Sequence, residues 1–245
     1  MTLSLITPDW PAPAGVRAAS TERVGGFSDG PYAGLNLGLH VGDDPAAVVR
    51  NRDVLNAMLS LSAEPAWLEQ IHATDIADLD AGASRRADGA VTSEEGVACV
   101  IMTADCLPVL LTTANGSRVG AAHAGWRGLA RGVLPRVVEA MGGAPSDLLA
   151  WLGPAIGPAA YEVGTEVREE FVVADPAAEA CFAANDRGRW QADLYGLARL
   201  SLAAAGVERV FGGNFCTATE ADRFFSHRRE APCGRMATLI WRAPH

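Results

Sequence analysis

Apolar residues recur along this chain with two periods. After Asp44-Pro45, Val48, Leu55 and Leu59 fall at helical spacing, and Pro suits a first turn, so a helix is predicted there. Residues 97–103, 107–113 and 118–123 read as three buried strands. Gly125 breaks the third, and 128–141, with Leu129, Val133, Val137 and Met141 four apart, predicts a helix. Residues 148–152 predict a strand running into Gly153-Pro154-Ala155-Ile156-Gly157-Pro158, a rigid loop by its Gly and Pro content. Helices are expected over 162–173 and 193–205, and strands over 209–215 and 236–241. Residues 67–79 read as two extended pieces meeting near His72. Strands and helices alternate without strict βαβ regularity. This predicts an α/β fold, a single compact mixed-sheet domain with flanking helices over residues 1–245.

Composition narrows the function classes. The 245 residues are 49% hydrophobic and 20% charged, as in globular proteins. No stretch approaches the roughly 18 apolar residues of a membrane span. The start, Met1 to Asp9, has no basic region and a very short apolar run, so a cytoplasmic location is expected. A formal charge of −9 argues against a global nucleic-acid or anionic-membrane binder, and an anionic substrate would need a local Arg cluster. The five cysteines, 99, 106, 181, 216 and 233, are odd in number and widely spaced, which predicts reduced thiols.

Three segments supply candidate metal ligands: His72 in Gln70-Ile71-His72, Cys106 in Thr103-Ala104-Asp105-Cys106, and His123 before Ala124-Gly125-Trp126-Arg127-Gly128. Two imidazoles and a thiol suit one Zn2+, and three protein ligands leave a fourth position open. Each residue alone also reads as structural: a hydrogen-bonded His, or a Cys serving as a small core residue. Arg127 at a helix start could hold an anion beside the metal, or be a solvated helix residue. Arg23, near Gly25-Gly26, belongs to a ligand-approaching loop or to a plain hairpin turn. Phe224 to Arg229 with Gly234-Arg235 could stack on a base, or form an exposed basic loop. A closed zinc module would need Cys216 or Cys233 as fourth ligand.

Taken together, these residues resemble the YfiH-type family, also labelled the laccase-domain or multicopper polyphenol oxidase family. The match runs from Arg23-Val24-Gly25-Gly26-Phe27-Ser28 through Leu35-Asn36-Leu37-Gly38, Asn51-Arg52, Gln70-Ile71-His72 and Ala87-Asp88-Gly89-Ala90-Val91-Thr92. It continues through the Cys106 and His123 segments, Gly153 to Pro158, Tyr161-Glu162-Val163-Gly164, Cys216-Thr217 and Phe225-Ser226-His227-Arg228-Arg229 to Gly234-Arg235-Met236. His227, where the family more often has Tyr, and Ala160, where Cys is common, depart from the pattern. The resemblance implies zinc on His72, Cys106 and His123, with copper as a possible substitute. It also implies phosphorolysis of adenosine, inosine or methylthioadenosine, and deamination of adenosine. The expected partners are a purine nucleoside and phosphate, with no nucleic acid or membrane, and a monomer or homodimer.

For deamination, zinc would lower the pKa of a water it holds toward roughly 7, and Asp105 and Asp88 are the candidate bases. For phosphorolysis, Arg23, Arg127 and Arg228, with Asp88 nearby, are the candidate groups for phosphate and substrate, and Cys106, Asp105 and Arg127 the catalytic set. Some relatives are associated with removing wrongly built cell-wall precursors, which leaves open a cysteine hydrolase or amidase with Cys106 as nucleophile and His123 or His72 as base. A true laccase needs on the order of ten histidines for four coppers. This chain has five, 40, 72, 123, 227 and 245, so polyphenol oxidation is expected at most as a weak, copper-dependent side property.

Overall fold

The computed structural model describes residues 3–244; Met1, Thr2 and His245, at the ends of the expected span, lie outside them. In chain order come β1 (Leu5–Ile6), β2 (Val16–Thr21), α1 (Pro45–Leu59), β3 (Ile76–Asp78), β4 (Gly89–Thr92) and β5 (Ala98–Thr103). β6 (Leu107–Thr113), β7 (Val119–Ala124), α2 (Trp126–Ala130), α3 (Val133–Met141), β8 (Leu148–Leu152) and β9 (Glu162–Val163) follow. The last are α4 (Thr165–Ala174), β10 (Phe182–Ala184), β11 (Trp190–Ala192), α5 (Leu194–Ala204), β12 (Arg209–Gly212), α6 (His227–Glu230) and β13 (Met236–Arg242).

The sheets are mixed, as the alternation predicts. One has the order β1-β2-β13-β5 and is antiparallel throughout. The larger, β12-β8-β6-β7-β4-β3, is antiparallel in its middle and parallel at both edges. A small sheet, β10-β11-β9, stands apart.

Side-chain alternation sets the layers, because successive residues of a strand face opposite sides. In β5, Cys99 and Ile101 join Leu110, Val119, Ala121 and Ile240 between the two large sheets. Ala98 and Val100 turn the other way, onto Leu35, Leu37 and Leu55 beneath α1. Val109, Leu111 and Ala122 turn from the six-stranded sheet onto Val133, Leu134 and Val137 of α3 and Leu197 and Ala198 of α5. Both faces of each large sheet are therefore covered, which is why β5, β6 and β7 read as apolar runs rather than as alternating ones.

Several expectations change. The helix expected over 128–141 is two: α2 is five residues long, and Gly132, at φ +89°, separates it from α3. The helix expected from 162 begins at Thr165, because Glu162–Val163 pairs with Trp190–Gln191 as β9. Of the two extended pieces expected over 67–79, only Ile76–Asp78 is a strand. Donors just before it go to a carboxylate instead of a neighbouring strand, as described below. β2, β4, β10 and β11 were not expected. α1 starts where Asp44 predicts, its side chain accepting from Ala46 N.

Candidate functional site

β6 and β7 pair so that Leu107 faces Ala124 and Pro108 faces His123. The turn before β6 and the end of β7 thus meet at one edge, and Cys106 comes beside His123. Asp105, at φ +88°, makes the tight turn that delivers Cys106 from β5. His72 arrives on the loop before β3, itself at φ +58°. Its Nε2 lies 3.9 Å from Cys106 Sγ, and its ring meets that of His123 edge-on with centroids 4.7 Å apart. The donor atoms of His72, Cys106 and His123 all fall within 4.8 Å of one another.

One carboxylate holds this cluster. Asp88, fully buried just before β4, accepts four hydrogen bonds. Its Oδ1 takes His72 N at 2.9 Å and His123 Nδ1 at 2.8 Å, and its Oδ2 takes Ile71 N at 3.1 Å and Ala73 N at 2.7 Å. Burial would raise the carboxyl's pKa, but the bonds from His123 and the loop amides outweigh it and hold Asp88 ionised. An ionised carboxylate only accepts, so His123 presents Nε2 to the cluster. Gln70 adds a second clamp: its Nε2 donates to Met102 O and its Oε1 accepts from Met102 N, both at 2.8 Å.

The electrostatics follow from this packing. Burial pushes the Cys106 thiol up, but the two imidazoles, His123 above all, bring it down to about 6. Burial pulls His123 down, but Cys106 and Asp88 raise it to about 9. The metal-free site is a thiolate–imidazolium pair, and a divalent cation competes with the proton on Nε2. The space between the donors is kept by Gly125, where a Cβ would lie 2.9 Å from Cys106 Sγ and 3.6 Å from His123 Nε2. A soft sulfur, two imidazoles, a buried carboxylate behind them and a cradle a methyl would fill suit a divalent metal such as zinc. Among the described residues no fourth His, Cys, Asp or Glu joins the group. Cys216 is elsewhere, its Sγ accepting from Gly157 N at 3.2 Å, and Cys233 is buried with Phe224 and Phe225. The closed four-ligand module therefore lacks its ligands.

The cluster lies in a cavity of about 470 Å³, within the range of small-molecule sites. Arg127 and Arg228 line it, as do His40, Tyr161, His227 and Arg235. The Arg127 guanidinium lies 4.4 Å over the Trp126 ring and makes no hydrogen bond or ion pair to the described residues. Arg228 donates to Glu162 O at 2.9 Å. Burial, ahead of the nearby Cys106 charge, raises the Tyr161 phenol, so it stays a neutral O–H. Burial first, then Arg235 and Arg52, lower His40, which keeps it neutral near pH 7.

Other expected site residues are placed differently. Arg23 does not line the cavity; it pairs with Glu230 at 2.7 Å and stacks 4.5 Å over Phe225. Asp88 lies behind the His72–Cys106–His123 cluster with both oxygens engaged. Asp105 lines the cavity, but its carboxylate accepts from Thr217 Oγ1 and Arg228 N. The helix start expected to hold an anion is the first turn of the five-residue α2, too short for a sizeable macrodipole. His40 and Tyr161 were missed as site residues, and no local pattern marks His40.

Residues 17–243 match the family model described as multi-copper polyphenol oxidoreductase laccase. A Pseudomonas aeruginosa protein named purine nucleoside phosphorylase is 52% identical over 96% of this chain and 97% of its own length. The Escherichia coli purine nucleoside phosphorylase YfiH is 51% identical over 97% and 98%. A Neisseria meningitidis crystal structure assigned to family model DUF152 superposes with a TM-score of 0.94 at 48% identity, covering 98% of this chain and 99% of that one. YlmD from Geobacillus stearothermophilus gives 0.86 at 35% identity, covering 96% and 94%.

Proposed function

The chain belongs to the multi-copper polyphenol oxidoreductase laccase family, and on that footing we propose that it is a zinc-dependent purine nucleoside phosphorylase. We extend the proposal to adenosine, inosine and methylthioadenosine as substrates, to hydrolytic deamination of adenosine at the same site, to one catalytic domain over residues 1–245, and to a cytoplasmic setting. Relatives named purine nucleoside phosphorylase over nearly their whole length support the activity. The observation that carries it is the His72–Cys106–His123 cluster in a nucleoside-sized cavity beside an unengaged guanidinium, Arg127. All five thiols are free, and among the described residues no helix is long and apolar enough to cross a membrane.

In this reading His72, Cys106 and His123 would hold the zinc, and a bound ion would supply Lewis acidity. Arg127 is the phosphate anchor, because its fork is spent on no acceptor among the described residues. Arg228 and Arg235 make the cavity wall cationic against a chain of net negative charge. A phosphate oxygen bonds to the ribose C1′ as the bond to the purine nitrogen breaks, and the purine leaves with the proton that hydrogen phosphate gives up. The neutral Tyr161 hydroxyl and His40 ring are hydrogen-bonding groups that do not repel an uncharged purine. Asp88 keeps His123 in its ligating orientation and does not touch substrate.

The family's description does not carry four-copper chemistry to this chain. Among the described residues only one His/Cys/Asp/Glu group could hold a metal, so copper there would be a single substituted ion. A second reading rests on a specific observation: Cys106, His123 and Asp88 stand as thiolate, imidazole and orienting carboxylate, the order of a cysteine hydrolase. Chelation separates the two, since a thiolate nucleophile survives loss of metal. The test is phosphate-dependent release of hypoxanthine from inosine by metal-quantified protein, with Cys106→Ala alongside. Release that needs phosphate, scales with zinc and vanishes in the variant is expected; no release at any zinc loading would refute the proposal.

A further inference from the structure

Three segments converge on Asp105. Its backbone O accepts from Ile156 N at 3.0 Å, which ties the 153–158 loop to the Cys106 turn. Its Oδ1 accepts from Thr217 Oγ1 at 2.6 Å, and its Oδ2 from Arg228 N at 2.7 Å. Thr217 N in turn donates to Ala155 O at 3.0 Å.

The Arg228 amide is the significant partner. α6 is four residues long, and a single turn does not hold itself together in water. Its first N–H groups have no partner within the helix. Ser226 Oγ takes Arg229 N at 3.3 Å, and Asp105 takes Arg228 N from across the cavity edge. The arginine next along, Arg229, knits the turn from behind, donating to Thr217 O and Phe224 O, each at 2.7 Å. The Arg228 side chain then reaches over Tyr161, its guanidinium 5.3 Å from the ring, to Glu162 O. Both Asp105 oxygens are thus occupied by hydrogen bonds that fix where the arginine-bearing turn sits relative to Cys106.

We infer that Asp105 is a positioning residue that docks the His227–Glu230 turn, and with it Arg228, onto the Cys106 loop to complete the anion-binding wall, and that it is not the proton-transferring base. This rests on the phosphorylase reading for its kinetic consequence, but not for its structural one. Chemistry separates the two roles. Asparagine in place of Asp105 keeps an oxygen for Arg228 N, and its amide can donate to the Thr217 hydroxyl, which accepts as readily as it donates. Asparagine also tolerates positive φ better than most residues. It preserves the dock and abolishes a base; alanine abolishes both.

The experiment compares Asp105→Asn and Asp105→Ala in the full chain by hydrogen exchange at the Arg228 amide, zinc content, and phosphate KM against kcat. Asn should keep the amide protected and phosphate KM within about 3-fold of wild type, whereas Ala should lose protection and raise KM by on the order of 10-fold, with a smaller change in kcat. Zinc content should match wild type in both. If Asn keeps protection yet is as inactive as Ala, Asp105 is a base and the inference is overturned. Protection retained in Ala, or zinc lost in Ala, overturns it as well. Should Ala fail to fold, Thr217→Val, which removes one of the two side-chain bonds, is expected to speed Arg228 exchange, and unchanged exchange would count against the dock. A wild type that releases no purine base sinks the phosphorylase reading alone, because amide exchange still decides the docking.

Discussion

Replacing Asp88 by Asn changes neither size nor shape, yet it should dismantle the metal site. Four donors converge on the carboxylate: Ile71 N, His72 N, Ala73 N and His123 Nδ1. An amide has one oxygen and one NH2, so two donors must face another donor whichever way it is turned. With the NH2 at the Oδ2 position, Ile71 and Ala73 lose their acceptor and the loop bearing His72 is released. With the NH2 at the Oδ1 position, His72 N is orphaned, and His123 can keep a bond only by accepting at Nδ1. Its proton then sits on Nε2, which no longer has a lone pair for a cation. One donor is orphaned in the second orientation and two in the first, each costing about 1–3 kcal/mol where buried, so about 1–6 kcal/mol is expected. For a chain of this size that lowers Tm by at least about 2 °C. Loss of a hydrogen-bonding partner behind a metal ligand should also weaken metal affinity by about 10–100-fold. Competition with a chromophoric zinc chelator reads the affinity, and thermal melts with and without chelator read the stability. An Asn variant that binds zinc as tightly as wild type and melts within about 1 °C of it would refute the account of Asp88.

Further predictions address the donors and the cavity. Gly125→Ala should abolish stoichiometric zinc while leaving the melt of the metal-free protein nearly unchanged, since φ −63° and ψ 155° suit alanine and only the cradle is filled; elemental analysis after gel filtration checks it. Arg127→Ala should raise phosphate KM by about 10–100-fold with no change in Tm, while Arg23→Ala, which removes the Glu230 pair and the Phe225 stack, should lower stability by about 1 kcal/mol and leave phosphate KM alone. Steady-state kinetics paired with melts tell the two arginines apart. In metal-free protein, thiolate ultraviolet absorbance from Cys106 should titrate near 6 rather than near 9, and be absent in Cys106→Ser. The thiolate's contribution to stability is complete above 9, the ordinary thiol value, and lost as pH falls through about 6; that of the His123 imidazolium is complete below 6.5 and lost as pH rises through about 9. Titration of the thiol near 9 would contradict the ion pair.

The ligand candidates were legible because each sits at a break in an apolar run. Cys106 precedes β6, His123 is the last residue but one of β7 and Gly125 follows the strand, and the antiparallel register then makes neighbours of residues far apart in the chain. The sequence marked Asp88 as a candidate base and substrate group, but not as the residue that holds the ligands in place. Its part depends on four donors from two other segments, and no spacing along the chain encodes that convergence. The same holds for the 67–75 loop, whose apolar-polar pattern suggested strands. The pattern reports which side chains are buried, but the amides of Ile71, His72 and Ala73 found a carboxylate instead of a strand.

The sequence by itself determined the layered α/β character, the breaks where chemistry collects, and a sulfur and two imidazoles as candidate ligands, because burial period and side-chain chemistry are local properties. Only the tertiary structure decided which arginine is free and which is tied down. Arg23 and Arg127 look alike in the sequence, each beside glycines and an aromatic residue. Folding gives Arg23 a carboxylate and leaves Arg127 without one among the described residues, since the partner of a guanidinium is set by what packs against it and not by its neighbours in the chain.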